Sequence, residues 1–355
     1  MNSRANWQSE LASAFRRSEE LSAFLGWAVP TVDAYPLLIT RGLATLIRAQ
    51  GPAGVLARQF LPHSDETSVT GLLDPIGDLK HAKTSQLIHR YHNRALLIPT
   101  TVCPVNCRYC FRKNELQSDT AFAQEREQTL NYLMQHTEIE EVIFTGGDPL
   151  ILSDEKLGAW LELLATIPHI RHVRFHSRVP VILPSRLTDD LADMLDSFSG
   201  RFTMVMVVHT NHVSEWSEVA RKAVRDFRPG GLRWLAQSVL LKGVNDDSQT
   251  LADLFRFLAL LDVRAYYLHH PDQVRGGMHF WLELEAGRKV WGALHDQLPG
   301  WMLPQYVIDI PGGHGKTPAF NPEGHSFSGS LLDRSGQLVH SAQPSFPVSD
   351  STARP

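Results

Sequence analysis

All three cysteines of this 355-residue chain, Cys103, Cys107 and Cys110, stand in one stretch, TTVCPVNCRYCFRKNE, residues 100–115. Thiols gathered at one point serve a metal or a redox site, whereas a disulfide framework spreads its cysteines through the chain. A structural zinc site closes with four ligands, commonly two separated pairs, so here a histidine would have to complete it. A [4Fe-4S] cluster offers a second reading, because three thiolates leave one of its irons without a protein ligand and open to a substrate or cofactor. That reading accounts for the missing fourth cysteine.

A second reactive group is Lys316 in DIPGGHGKTP, residues 309–318. Gly315-Lys316-Thr317 imitates the end of a phosphate-binding P-loop, but the pattern needs a glycine where this chain has Ile310 and a helix where it has Pro318. A lysine in a glycine-rich turn suits a Schiff base with an aldehyde cofactor, for which pyridoxal 5′-phosphate (PLP) is the usual candidate; the alternative is a solvated loop lysine. Arg90, Tyr91 and Arg94 in IHRYHNR bring together two guanidinium groups and a phenol, a set able to hold a phosphate through forked hydrogen bonds or simply to form a solvated turn. Gly146-Gly147-Asp148-Pro149 reads either as a place where backbone approaches a ligand or as an ordinary strand-to-helix turn, with Ser153 capping the next helix. His209 and His212 read as a metal pair or as polar rim residues.

These groups need elements to position them. Between Ala95 and Pro271 six short apolar, often β-branched runs recur: ALLIPTTV, EEVIFTGG, HVRFHSR, TMVMVVH, LRWLAQSVLL and AYYLHHP. Each predicts a strand. The gaps have room for helices, and Leu157, Trp160, Leu161, Leu164 and Leu251, Leu254, Phe255, Leu258 recur at helical spacing. Alternation of strand and helix predicts an α/β fold with a parallel sheet covered on both faces, with too few units for a closed eight-stranded barrel. In such folds chemistry sits at the C-terminal ends of the strands, and there the sequence places the cysteines, Gly146-Gly147-Asp148, His176-Ser177-Arg178, His209, Gln237 and Asp272.

Three regions are expected: a helical region over 1–85, the α/β body over 86–300, and a C-terminal lysine-bearing segment over 301–355 with a hairpin from Phe327 to His340. With 34 basic and 38 acidic residues and a formal charge of −4, no basic run calls for nucleic acid. The N-terminus is charged and amphipathic, and no segment approaches the ~20 apolar residues of a membrane span, so a cytoplasmic location without membrane contact is expected.

The segments HRYHNRALL, CPVNCRYCFR, IFTGGDPL, SRVPVILPSRLT, QSVLLKGVND, YYLHHPDQVRGGMHF and PGGHGKTP together resemble the lysine 2,3-aminomutase family, PLP-dependent members of the radical S-adenosylmethionine (SAM) enzymes. The resemblance implies a partial (β/α)6 barrel that uses a [4Fe-4S] cluster, SAM and PLP to isomerise L-lysine to β-lysine. By position, Cys103, Cys107 and Cys110 would bind the cluster, Lys316 would carry PLP, and Arg90, Tyr91 and Arg94 would hold its phosphate. Arg112 would grip the substrate carboxylate, and Asp272 with Asp309 would receive its ε-ammonium. Gly146, Gly147, Asp148, Arg178, His209 and Gln237 would face SAM. An electron donor such as flavodoxin or ferredoxin is implied, and a homo-oligomer is left open. NWQSELASAF and IFTGGDPL look like the branch that supplies (R)-β-lysine for modification of elongation factor P. DIPGGHGKTP and the tail look like the free-lysine branch, although the extra C-terminal cysteines of some of its members are missing here.

Overall fold

A computed structural model describes residues 6–32, 34–114, 125–319, 330–332 and 338–340. Ten strands form one sheet in chain order: β1 (Ala82–Thr84), β2 (Leu87–Tyr91), β3 (Arg94–Thr100), β4 (Glu141–Gly146), β5 (His172–Ser177), β6 (Thr203–His209), β7 (Arg233–Val239), β8 (Arg264–His269), β9 (Gln305–Ile310) and β10 (Gly315–Pro318). Strands β3 to β9 run parallel, while β1, β2 and β10 add antiparallel edges. The six predicted runs are β3 to β8.

A helix follows each of those six strands: Arg126–Gln135, Asp154–Ala165, Asp189–Asp196, Glu218–Asp226, Ser248–Leu260 and Leu284–Leu294. Four of them start on a side-chain cap that accepts a backbone N–H of the first turn: Ser153, Thr188, Ser217 and Asp247. Such caps satisfy amides left without partners by the helix geometry and contribute about 1 kcal/mol each. The apolar stripes meet the sheet as their spacing requires, with Leu157, Trp160, Leu161, Leu164, Leu251, Leu254, Phe255 and Leu258 all buried. From the strands Val142, Phe144, Val173, Phe175, Met206 and Val208 complete this core, and each such side chain stabilises the fold by roughly 1.5–3 kcal/mol relative to exposure. The sheet keeps two free ends, β1 and β10, so the architecture is a partial (β/α)6 barrel extended by a seventh parallel strand.

Helices Asn6–Ala12, Ser18–Leu25, Arg41–Gln50 and Val55–Phe60 pack on the same core through Trp7, Leu21, Ile47, Leu56 and Phe60. Two segments depart from the sequence reading. IHRY belongs to a strand, β2, joined to β3 by the tight turn His92-Asn93, where a solvated turn was the alternative; its polar composition hides a strand whose Arg90 is buried. Lys316 stands on strand β10 and not in the glycine turn before it. That turn is held from outside: a Cβ on Gly77 would come within 2.4 Å of Gly313 N, and His81 Nε2 lies 2.9 Å from Gly313 O.

The C-terminal hairpin is present as Ser330–Leu332 paired antiparallel with Leu338–His340, while Phe327 and the turn at 334–336 lie outside the described residues. Among the described residues no helix is long and apolar enough to cross a membrane.

Candidate active site

A cavity of about 490 Å³ opens at the C-terminal ends of the parallel strands. Every residue singled out from the sequence for a cluster, cofactor or substrate lies on its wall: Cys103, Cys107, Cys110 and Arg112 after β3; Gly146, Gly147 and Asp148 after β4; Arg178 after β5; His209 and Gln237 at the ends of β6 and β7; Asp272 after β8; and Asp309, Lys316, Arg90, Tyr91 and Arg94 on the flanking strands.

The cysteine segment leaves β3 as a loop with no helix or strand of its own, so its shape depends on what grips it. Buried Glu66 accepts hydrogen bonds from Arg108, Nε to Oε1 at 2.9 Å and NH2 to Oε2 at 2.5 Å, and from Lys113 Nζ at 3.2 Å. Lys113 also donates to the carbonyls of Arg108 and Gly276. A carboxylate removed from water needs this many partners, and in return it pins the CRYC segment at Arg108 and, just after it, at Lys113. Burial pushes all three thiols up, Cys110 to about 11, with Arg178 opposing the effect at Cys107. Thiols become thiolate ligands when a metal replaces their protons.

The glycines of the GGDP turn have a local reason as well as a functional one. Gly146 has φ +104°, and a Cβ on it would lie 2.4 Å from Ile98 Cγ2; one on Gly147 would lie 2.2 Å from Val102 O. The turn therefore closes on residues 98–102, the approach to the cysteine loop, with Gly147 N donating to Thr100 O at 2.9 Å and Asp148 N to Val102 O at 2.8 Å. Asp148 is buried, and its carboxylate accepts from Leu150 N, Ser177 Oγ, Arg178 N and Val179 N. It ties the ends of β4 and β5 together. Ser153 caps the following helix as the sequence suggested.

Arg178 is buried over the Phe60 ring and held by Glu215 at 3.1 Å and by His209 O at 3.2 Å, and Glu215 keeps its guanidinium charged against the pull of burial. His209 Nε2 lies 3.0 Å from the hydroxyl of Tyr109, the aromatic residue inside CRYC; burial first, and then Arg178, holds this imidazole well below its usual range. Gln237 is the register partner of His209. His212 accepts from Ser214 N through Nδ1 and starts a short turn.

Arg112 and Arg90 meet on Asp78, a residue the sequence reading passed over. Asp78 Oδ2 lies 2.7 Å from Arg112 NH2, and Oδ1 lies 2.5 Å from Arg90 NH2; all three side chains are buried. Asp78 has no spacing signature, because its partners stand 12 and 34 residues away. Its backbone N donates to Asp74 Oδ1, which fixes the carboxylate between the two guanidinium groups.

At the other end Lys316 Nζ lies 2.6 Å from Asp309 Oδ2, and Lys316 N donates to the Tyr91 hydroxyl at 2.8 Å. Burial alone would lower this ammonium, but Asp309, Tyr91 and Asp272 together hold it above the usual lysine range. Burial and the charge of Asp309 push Asp272 up to about 8. Arg94 stacks on the Tyr91 ring at 3.9 Å. The wall beside them carries His176, whose Nε2 is buried without a hydrogen-bond partner among the described residues.

The donor sets fit the groups that the sequence implied. Three thiols on one loop, each partly accessible from the cavity, suit an iron-sulfur cluster with an open iron. A lysine amine on β10, a phenol on β2 bonded to that lysine's backbone, and a guanidinium on β3 stacked on the phenol, with an unsatisfied imidazole on the same cavity wall, suit an aldehyde cofactor that carries a phosphate.

Comparison with known proteins concerns the chain as a whole. Residues 97–255 match the radical SAM superfamily profile. The chain is 35% identical to the L-lysine 2,3-aminomutase of Escherichia coli over 89% of its length and 95% of that protein. It is 36% identical to the Haemophilus influenzae protein of the same name, over 69% of this chain and 72% of the relative, and 31% identical to that of Clostridium subterminale, over 88% and 77%. Among solved structures, a radical SAM methyltransferase from Sphaerobacter thermophilus is similar over 62% of this chain and 68% of its own, at 15% identity and a TM-score of 0.41.

Proposed function

We propose that this chain, which belongs to the lysine 2,3-aminomutase family of radical SAM enzymes, acts on L-lysine and moves its α-amino group to the β carbon to give β-lysine. An enzyme of this family is an isomerase that uses SAM and a [4Fe-4S] cluster; the substrate, PLP and the residue roles are our reading. One observation carries it. The cavity has a buried guanidinium, Arg112, near the cysteine loop and a pair of carboxyl groups, Asp272 and Asp309, at the Lys316 end. This charge order matches an amino acid with a second amine at the far end of its side chain.

Cys103, Cys107 and Cys110 would hold the cluster, with Gly146, Gly147, Asp148, Arg178, His209 and Gln237 around SAM. Lys316 would hold PLP covalently, with Arg90, Tyr91 and Arg94 at its phosphate. When bound, the cluster with SAM supplies a carbon radical that removes hydrogen from the substrate, and PLP supplies the conjugated system through which an amino group can migrate. This chain's own residues do the rest. Arg112 binds the substrate carboxylate by its fork, in an orientation set by Asp78 and Thr145. Asp309 binds the ε-ammonium as a carboxylate, and Asp272, whose raised carboxyl gives up its proton once that cation lies beside it, adds a second anion; a buried ammonium without a partner costs several kcal/mol, and an acidic side chain in its place would face Asp309 as a like charge. Tyr91 holds the backbone of Lys316 in place. The buried wall limits access of water to the reacting carbons.

The resemblance of NWQSELASAF and IFTGGDPL to the elongation factor P branch supports (R)-β-lysine for modification of that factor as the destination of the product. Reduction would come from a small electron carrier of the flavodoxin or ferredoxin kind. The site assignment is tested by borohydride treatment of PLP-loaded protein followed by peptide mass mapping. A reduced adduct on the peptide holding Lys316 is expected, and its appearance on another lysine would refute the assignment.

A further inference from the structure

Outside the cavity, one position before Arg90, three groups of metal-ligand type meet. His89 on β2, His136 just past helix Arg126–Gln135, and Glu138 two residues on each offer one ligand atom, and these atoms lie within 4.8 Å of one another. We propose that His89, His136 and Glu138 bind a zinc ion that ties the strand carrying Arg90 and Tyr91 to the end of that helix.

Two imidazoles, a carboxylate and an open fourth position for water form a donor set that zinc accepts. With zinc bonds of about 2.0–2.2 Å, the side chains need to close by less than about 1 Å to share one ion. The rings are already oriented. His89 Nε2 lies 3.3 Å from His92 O, which selects the tautomer with the lone pair on Nδ1; a backbone carbonyl on the second nitrogen is the usual support of a metal-bound histidine. Nδ1 itself lies 2.9 Å from the Tyr132 hydroxyl, which the ion would displace. The Tyr132 ring stacks on His136 with centroids 3.9 Å apart, and His136 Nδ1 lies 2.8 Å from Glu138 Oε1. The ion replaces this last contact and draws both groups toward His89.

The side chains of His136 and Glu138 are 35% and 32% exposed, so an ion and its water can reach them. The consequence lies in the next residues of the strand. Fixing β2 at His89 restrains Tyr91, whose hydroxyl holds the backbone of Lys316.

The test uses holoenzyme with its cluster reconstituted, so that the cysteines are occupied, desalted to remove excess iron and dialysed anaerobically against zinc chloride. Zinc per chain is read by mass spectrometry of the metal, and thermal stability in parallel. One zinc per wild-type chain is expected, bound at least tenfold more weakly in both His136→Asn and Glu138→Gln. A zinc-dependent rise in melting temperature is expected in the wild type and in neither variant. Iron content equal to wild type shows that the variants are folded. A wild-type protein that takes up no zinc, or folded variants that hold as much as the wild type, would overturn the proposal. Neither readout depends on lysine turnover, so the zinc site and the substrate assignment stand or fall separately.

Discussion

Lys316 and Asp309 are register partners on β10 and β9, and their side chains form an ion pair of 2.6 Å at the wall of the cavity. The same carboxylate lies 3.6 Å from Arg90 and 4.0 Å from His269 Nδ1. One aspartate therefore faces both the lysine proposed to carry PLP and the space proposed for the substrate ammonium.

Asp309→Ala removes that anion and leaves Lys316 and Arg90 without it. Loss of one partner from a buried charge pair costs about 2–5 kcal/mol, so kcat/KM for L-lysine is expected to fall at least thirtyfold. SAM affinity, measured by equilibrium binding to the cluster-loaded protein, is expected to change little because the charged partners of Asp309 are Lys316, Arg90 and His269, none of them proposed to hold SAM. Unchanged lysine turnover would remove Asp309 from the ammonium clamp.

Asp272 gives a pH signature. Its carboxyl is raised to about 8 in the folded protein, against ~3.9 in an unfolded chain. Between those values the native state holds a proton that the unfolded state has released, so stability falls as pH rises through that window. Asp272→Asn cannot titrate. The melting temperature of the cofactor-free wild type relative to this variant is expected to drop steadily from pH 4 to pH 8, and a flat difference would show that Asp272 ionises normally.

Gly147→Ala places a methyl group where Val102 O stands, at 2.2 Å from the ideal Cβ. Backbone cannot yield there without moving the residues that lead into Cys103. Iron content after reconstitution and the rate of SAM cleavage are both expected to fall severalfold, with circular dichroism close to wild type. Full iron loading would mean that the turn and the cysteine loop move independently.

Much of this architecture was legible in the chain because the deciding signals were local. Strands β3 to β8 announce themselves as β-branched runs, and the two clearest helices bury the stripes their spacing marks out. Local signals fail where partners are distant in sequence. β2 reads as polar because Arg90 is buried against Asp78 and Asp309, and nothing within LIHRY discloses that compensation. β9 is a short run, QYVIDI, whose place beside β8 is set by pairing and not by its own pattern. Asp78 lies in an irregular segment and Glu66 in a short 3-10 turn, and each becomes notable only when the fold brings two basic side chains to it. The glycines of GGDP were visible, but the atoms that exclude a side chain there belong largely to residues 98–102.

The central claim is the substrate and the reaction. Protein reconstituted anaerobically with iron, sulfide and PLP, then given SAM, a low-potential reductant and L-lysine, is expected to form β-lysine, detected by chiral liquid chromatography with mass spectrometry. A fully loaded enzyme that cleaves SAM yet leaves L-lysine unchanged, or that isomerises a different amino acid in its place, would contradict the assignment.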